Sequence, residues 1–214
     1  EEAARAIHDD ESIPAALPAL AALLRPGVDS EVVLRRALNA NLRLGTPEAG
    51  ARVLAFALDD SVSTGMRREA LLTLQAWREP PELDRVDGWA RTLQPASIKH
   101  LLQPKLDALL ALADSELRTL AVRLMVAHEL EARASQIAPI LADANAPDDL
   151  RAQILRLMAA RRQSDPDFPR ALEAALAPES PDLLYRAALE FLLPDQPARL
   201  AAEARITLMS RRVP

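Results

Sequence analysis

Histidine, the side chain most suited to acid–base catalysis and a frequent metal ligand, occurs three times, as His8, His100 and His128. None of them has a second histidine or a pair of carboxylates at metal-ligand spacing, and the HExxH pattern is missing. The chain has no cysteine, which excludes disulfides, thiolate zinc sites and a cysteine nucleophile. Glycine-rich phosphate loops and the GxSxG pattern are also missing from the sequence. We therefore expect no catalytic residues, no cofactor and no metal ion in this chain.

Acidic residues cluster at three places, Asp9-Asp10-Glu11, Asp59-Asp60 and Asp148-Asp149. None of the clusters has the alternating Asp/Asn pattern followed by glycine that a calcium loop requires. All three fall between helical segments, where aspartate caps helices and favours the positive end of the helix dipole. We therefore predict that they are helix caps.

Arginine recurs at one position of a repeat described below, as Arg67, Arg118 and Arg151. The pattern favours ion pairs with the acidic residues at the repeat boundaries. Ligand binding by this column of arginines is the alternative.

The stretch "WREPPELDRVDGWARTLQP", residues 77 to 95, contains both tryptophans and a Pro-Pro pair that ends the preceding helix. An exposed loop rarely contains so many apolar residues, so the stretch is predicted to be pinned to the helices, with Trp77 or Trp89 buried. Docking of a partner protein is the second interpretation, because aromatic residues and arginine often anchor interfaces. The candidate binding residues are Trp77, Asp84, Arg85, Trp89 and Arg91.

These residues are positioned by a helical repeat of about 33 residues. Small residues recur at the same place in five amphipathic segments, at Ala37, Ala70, Ala121, Ile154 and Ala188. The second of the four intervals is 51, which is 33 plus 18. It indicates an 18-residue insertion near residues 78–96, called the insert below. A degraded first repeat is predicted around Ala4, where His8 fits the apolar pattern poorly.

A second amphipathic segment follows each of the repeated ones, with Pro, Gly and capping residues between them. These segments are 13–24, 47–59, 97–112, 132–144, 167–177 and 198–210. The pattern predicts an all-α fold, a right-handed α-α superhelix of HEAT type with about six helix pairs in a single domain over residues 1–214. An ordinary helical bundle is the alternative. The chain begins without Met and ends without a polar capping helix, so we expect a fragment of a longer protein.

Composition limits the partners of such a scaffold. The net charge is −5 and there is no long basic run, which argues against a nucleic-acid partner. No apolar run approaches the length of a membrane span. A protein partner is therefore expected, bound on a surface made mainly of second helices.

The segment "REALLTLQAWREPPELDRVDGWARTL" resembles part of the HEAT-repeat region of large bacterial membrane-bound dehydrogenase-like, haem-binding proteins of the planctomycete type. The matching residues are Trp77, Pro80, Pro81, Leu83, Asp84, Arg85, Val86, Gly88, Trp89 and Arg91. The resemblance implies a parent protein with a β-propeller dehydrogenase domain, a cytochrome c domain and export to the periplasm. Neither the propeller nor the CxxCH haem motif is in this chain.

Three functions follow from these observations. The first is a non-catalytic spacer or docking domain of a larger exported oxidoreductase. The second is a free-standing adaptor, possible in the cytoplasm, that binds a protein or peptide on its concave face. The third, a DNA-glycosylase-like HEAT protein, requires a groove of Lys and Arg that the sequence does not indicate.

Overall fold

The computed structural model describes residues 1–10, 13–159, 167–177, 179–195, 198–199 and 201–203. Within them the structure is helical, apart from a single antiparallel β-bridge between Leu83 and Ala90. The helices are α1 (Glu2–His8), α2 (Leu17–Ala21), α3 (Glu31–Leu44), α4 (Pro47–Leu58), α5 (Thr64–Ala76), α6 (Lys99–Leu102), α7 (Leu106–Leu110), α8 (Ser115–Ala127), α9 (Ala134–Ala142), α10 (Asp148–Ala159), α11 (Phe168–Ala175) and α12 (Asp182–Asp195). The all-α prediction is confirmed. The predicted segment 198–210 lies largely outside the described residues.

The repeated segments form the helices α3, α5, α8, α10 and α12, and their small residues make up the core. Every member of the small column is fully buried, at 0% exposure: Ala37, Ala70, Ala121, Ile154 and Ala188. The first helices of successive repeats pack directly on each other, α3 on α5, α5 on α8 and α10 on α12. At the four alanine positions a side chain of this size lets two helix backbones approach closely, and Ile154 is the larger exception.

Helix boundaries follow the capping chemistry of the sequence. The side chains of the N-cap residues accept hydrogen bonds from backbone N–H groups of the first turn at four helices. These residues are Ser30 of α3, Thr46 of α4, Ser63 of α5 and Asp114 of α8. Asp148 and Asp149 lie in the first turn of α10, where their charges favour the helix dipole as predicted.

Two prolines within the second amphipathic segments interrupt the helix. Pro18 lies at the start of α2, after a 3₁₀ turn at Pro14–Ala16. Pro104 lies in the 3₁₀ turn Gln103–Lys105, which separates α6 from α7. Pro139, in contrast, lies inside α9 without ending it.

The recurring arginines bind the carboxyl ends of the preceding helices. Arg67 donates from Nε to the carbonyl of Ala57 at 3.0 Å, and Arg151 donates from Nε to the carbonyl of Leu141 at 2.9 Å. Arg118 donates to the carbonyl of Leu112 at 3.2 Å. The predicted boundary ion pair is present as well at Arg67, with Asp60 at 2.7 Å. The column therefore connects consecutive helices mainly through orphan carbonyl groups that each helix leaves at its end.

The contacts divide the chain into two compact units, residues 1–131 and residues 132–214. The first contains α1 to α8 and the insert, and the second contains α9 to α12. The single domain over 1–214 stays a prediction. Among the described residues, no helix combines the length and the apolar character that crossing a bilayer requires.

Candidate functional site

The insert leaves the helical pattern between α5 and α6, where the sequence predicts it. Its centre is a tight turn in which the N–H of Asp84 donates to the carbonyl of Trp89 at 2.9 Å, and the N–H of Gly88 donates to the carbonyl of Asp84 at 2.9 Å. Gly88 has φ of 76°, a left-handed conformation that glycine adopts at little cost. The turn is therefore built by local backbone hydrogen bonds that do not depend on a sheet.

Trp77 pins the beginning and the end of the insert to the first unit. Its side chain is 1% exposed, and its indole N–H donates to the carbonyl of Ala96 at 3.0 Å. The ring and Ile98 both pack against Gly50 of α4, so closely that a Cβ on Gly50 would lie 2.6 Å from Cγ2 of Ile98. Of the two tryptophans, Trp77 is therefore the one that anchors the insert.

The turn of the insert closes over a buried group of polar side chains, called the His8 cluster below. Its members come from the end of α1, from α3 and from the insert: His8, Asp9, Arg36, Asn39, Asp84, Asp87 and Arg91. Arg91 donates from Nη1 to Oδ2 of Asp84 at 2.8 Å and to Oδ1 of Asp87 at 2.7 Å. A second nitrogen, Nη2, donates to Oδ2 of Asp87 at 2.7 Å, which makes the pair with Asp87 bidentate.

His8 connects the two sides of this cluster. Its Nδ1 lies 2.7 Å from Oδ1 of Asp9, and its Nε2 lies 3.0 Å from Oδ1 of Asn39. Asn39 in turn donates from Nδ2 to Oδ1 of Asp84 at 3.1 Å, so its oxygen faces the imidazole. Both ring nitrogens therefore face oxygen atoms of the cluster. Arg36 and Arg91 supply the guanidinium groups that pair with its three carboxylates.

Two of the carboxylates, those of Asp9 and Asp87, are held in their charged form. Burial alone raises the pKa of Asp9, but hydrogen bonds from Arg36 and His8 outweigh this effect and hold the pKa below its ordinary value. Burial likewise raises the pKa of Asp87, but the hydrogen bonds from Arg91 and from the N–H of Trp89 outweigh it and hold this pKa below its ordinary value as well. The cluster is therefore an ion-pair network in which Arg36 and Arg91 pair with the carboxylates.

Three of these side chains, one imidazole and two carboxylates, are of the types that bind metal ions in proteins. Ligand atoms of His8, Asp84 and Asp87 all lie within 4.8 Å of one another. The guanidinium of Arg91, however, bonds to both carboxylates and supplies the positive charge that a cation would bring. We interpret the group as structural, with arginine in the role of the cation.

Arg85 lies outside this cluster and pairs with α5. Its Nη2 donates to Glu69 at 3.1 Å, and Arg35 of α3 reaches the same carboxylate at 3.1 Å. Arg68 approaches it at 3.5 Å. Three guanidinium groups thus surround one carboxylate.

Trp89 and Leu83 are the exposed apolar residues of the insert. Trp89 is 67% exposed and Leu83 is 61% exposed, although the backbone between them is held by the turn and the neighbouring Asp84 is buried. The exposed indole is therefore carried by a turn whose backbone is fixed by local hydrogen bonds and ion pairs.

The five candidate binding residues therefore do not form one site, because they lie in different environments. Asp84 and Arg91 contact each other in the His8 cluster, while Arg85 bonds to Glu69. Trp77 is in the core and Trp89 faces solvent.

Sequence reasoning missed the partners of the insert in α1 and α3. Asp9, predicted to cap a helix, follows the last residue of α1, and its carboxylate turns to His8 and Arg36. The capping prediction is wrong for this residue, because the guanidinium of Arg36 and the ring of His8 hold the carboxylate. His8 carried a signal: it occupies the position where the other repeats have Asn41, Leu74, Met125, Met158 and Leu192 in the core. A polar residue at a core position requires buried partners.

A cavity of about 250 Å³, called the α3–α5 pocket below, lies between these two helices and the insert. Asn39, Arg36, Asp84 and Arg91 of the His8 cluster line it together with Arg85. Apolar residues such as Leu42 and Leu93 form another part of its wall. The pocket is the enclosed space that the insert creates by covering α3 and α5.

Comparisons of the chain with protein-family models, with curated proteins and with solved structures yielded no match. The resemblance to the HEAT-repeat region of dehydrogenase-like proteins stays a prediction.

Proposed function

We propose that this chain is a non-catalytic docking scaffold of HEAT type, in which stacked helix pairs present the insert to a protein partner. The observation that carries the proposal is the exposure of Trp89, whose side chain is 67% exposed. The turn that carries Trp89 is held by the hydrogen bonds of Arg91 to Asp84 and Asp87. Interface anchors are enriched in tryptophan, and preorganised anchors lose less entropy on binding.

The helical array supports the scaffold part of the proposal. Within each unit, neighbouring first helices pack on each other, α3 on α5, α5 on α8 and α10 on α12, and the repeated core residue of each helix is fully buried. Repeat arrays of this kind offer extended surfaces and are stabilised mainly by contacts between neighbouring repeats.

The ionisable groups of the insert support a binding role over a catalytic one. Asp84, Asp87 and Arg91 neutralise one another beneath the turn, and Arg85 is paired with Glu69. A general acid or base requires a group that can reach a substrate and exchange a proton near neutral pH. Asp84, Asp87 and Arg91 hold the turn in place.

The partner that we propose is another domain of the same parent protein, an exported oxidoreductase with a cytochrome c domain. This assignment rests on the "LDRV" and "GWAR" residues of the insert. The open reading frame tests it directly: an N-terminal export signal and a downstream CxxCH would support the assignment. A frame that codes only for this region would overturn it and leave the free-standing adaptor.

Docking through the insert is tested in the full-length protein by placing a photo-crosslinking phenylalanine analogue at position 89. We expect crosslinks from position 89 to residues outside this chain, mapped by mass spectrometry. The matched control is the same analogue at Leu183 of α12, which is 52% exposed. Equal crosslinking from both positions, or none from position 89, would overturn the docking proposal.

A further inference from the structure

The α3–α5 pocket is lined by charged side chains that have no part in the proposed docking through Trp89. Four arginines and two carboxylates are among its lining residues: Arg35, Arg36, Arg85, Arg91, Glu69 and Asp84. The carboxylates of Asp9 and Asp87, which neutralise Arg36 and Arg91, do not belong to the lining. Because Arg36 and Arg91 are offset in this way, the cations of the lining that can attract an anion are Arg35 and Arg85, which share Glu69.

The two arginines at the more exposed side are placed to bind an anion. The side chains of Arg35 and Arg85 are 46% and 43% exposed, and both reach the carboxylate of Glu69 at 3.1 Å. Arg85 makes this contact through Nη2, while a guanidinium has five N–H donors in a planar fork. Arg35 also pairs with Glu31 at 3.7 Å. A guanidinium has more N–H donors than these contacts occupy, so Arg35 and Arg85 can both donate to the carboxylate of a ligand.

Part of the cavity wall is apolar. Val32, Leu38 and Leu42 of α3 line it together with Pro81 and Leu93 of the insert. An inorganic anion would leave this surface in contact with water, whereas a hydrocarbon group would cover it. A volume of about 250 Å³ lies below the roughly 300–1,000 Å³ of typical pockets for drug-sized ligands, so the occupant is small.

From these features we propose that the α3–α5 pocket binds a small organic monocarboxylate, with its carboxylate at Arg35 and Arg85 and its apolar body against Val32, Leu42 and Leu93. This inference is independent of docking through Trp89, because neither Trp89 nor Leu83 lines the cavity.

The test is titration calorimetry of the full chain with hexanoate and benzoate as probes. Their neutral counterparts, hexanol and benzyl alcohol, and inorganic phosphate serve as comparison ligands. We expect saturable binding of at least one carboxylate, with chemical-shift changes at the amides of α3, α5 and residues 81–93. Failure of both carboxylates to bind at millimolar concentration would overturn the proposal, as would equal binding of the alcohols or of phosphate.

Two variants locate the binding. Arg85→Gln should weaken binding of the carboxylate about tenfold, since it removes a charge-assisted hydrogen bond. Arg68→Gln is the matched control, because Arg68 approaches the same Glu69 carboxylate at 3.5 Å and is similarly exposed but does not line the cavity. We expect Arg68→Gln to leave the affinity within about twofold. An equal loss in both variants would show a general charge effect and overturn the assignment to the pocket.

Discussion

Asn39 of α3 donates a hydrogen bond to Asp84 of the insert at 3.1 Å, and both side chains are buried. The same asparagine accepts from Nε2 of His8 at the end of α1. One amide thus connects the first repeat to the insert of the third. The irregular first repeat and the insertion, two separate departures from the repeat pattern, are parts of a single structural feature.

Asp84→Ala is expected to lower the free energy of unfolding by about 3 kcal/mol, because it leaves the buried charge of Arg91 with one carboxylate fewer. Asp84→Asn keeps an acceptor for Asn39 and is expected to cost less. Denaturant unfolding monitored by circular dichroism measures both. The control, Asp10→Ala, changes an exposed residue and should stay within about 0.5 kcal/mol of the parent. Equal losses for Asp84→Ala and Asp10→Ala would contradict the role of the cluster.

Gly50→Ala is expected to destabilise the protein, although alanine is ordinarily the better helix former by about 1 kcal/mol. The new Cβ would lie 2.6 Å from Cγ2 of Ile98 and 3.5 Å from the ring of Trp77, and such overpacking costs about 1–3 kcal/mol. Gly65→Ala in α5 is the matched control, because its Cβ would meet nothing within 4 Å. Thermal unfolding should therefore show opposite shifts for the two variants. A stabilising Gly50→Ala would mean that Trp77 and Ile98 do not lock the insert as described.

Acidification should weaken the attachment of the insert. The pKa of Asp87 is held below the ordinary value of 3.8, since the hydrogen bonds from Arg91 and Trp89 outweigh the effect of burial. Between the ordinary pKa and the lower pKa of the folded state, the unfolded chain binds more protons than the folded one. The stabilisation by Asp87 is therefore complete above about pH 4 and is lost as the pH falls through the pKa of the folded state. Asp87→Asn should reduce stability at neutral pH and flatten its decline in acid. Hydrogen exchange of the amides of residues 82–91, measured between pH 5 and 3, reports the loss of this attachment. If Asp87→Asn shows the same pH dependence of exchange as the parent, the role of Asp87 is contradicted.

His128 should produce a separate pH dependence nearer neutrality. Burial lowers its pKa below 6.5, against the opposing hydrogen bond from Nε2 to the carbonyl of Leu74 at 2.7 Å. The folded state then binds fewer protons than the unfolded one, so stability is full above about pH 6.5 and declines as the pH falls toward the folded pKa. His128→Gln retains a donor and cannot titrate, so its unfolding free energy should vary less between about pH 6.5 and 5. His100→Gln on the exposed side of α6 is the control, and a variant at 128 that keeps the parent slope would refute the assignment.

Much of the helical framework could be predicted from the sequence, because helix periodicity is a local property. The residues that repeat every 33 positions, from Ala37 to Ala188, are the ones that the structure buries. Caps such as Ser30 and Ser63 are likewise local, since each side chain bonds to the backbone three residues later. The position of the insert is indicated by the long interval of 51 residues between Ala70 and Ala121.

The role of each residue in the insert could not be predicted in the same way. Trp77 and Trp89 are chemically the same and both lie next to arginine-rich sequence, yet one is 1% exposed and the other 67%. The difference arises because Gly50 leaves room for one indole beside Ile98. Gly50 belongs to another helix, and no pattern within residues 77–95 indicates it.

The sequence by itself determined that this chain is helical, where its helices lie and where their repetition is interrupted, because backbone propensity, capping and periodicity act over a few residues. Only the tertiary structure decided that His8, Asn39 and Asp84 meet. Their contact joins residues separated by 31 and 45 positions, and buried charges are stable only where folding brings complementary partners within hydrogen-bonding distance. The same contact fixes the turn that carries the exposed Trp89, and Asn39 and Asp84 also line the α3–α5 pocket.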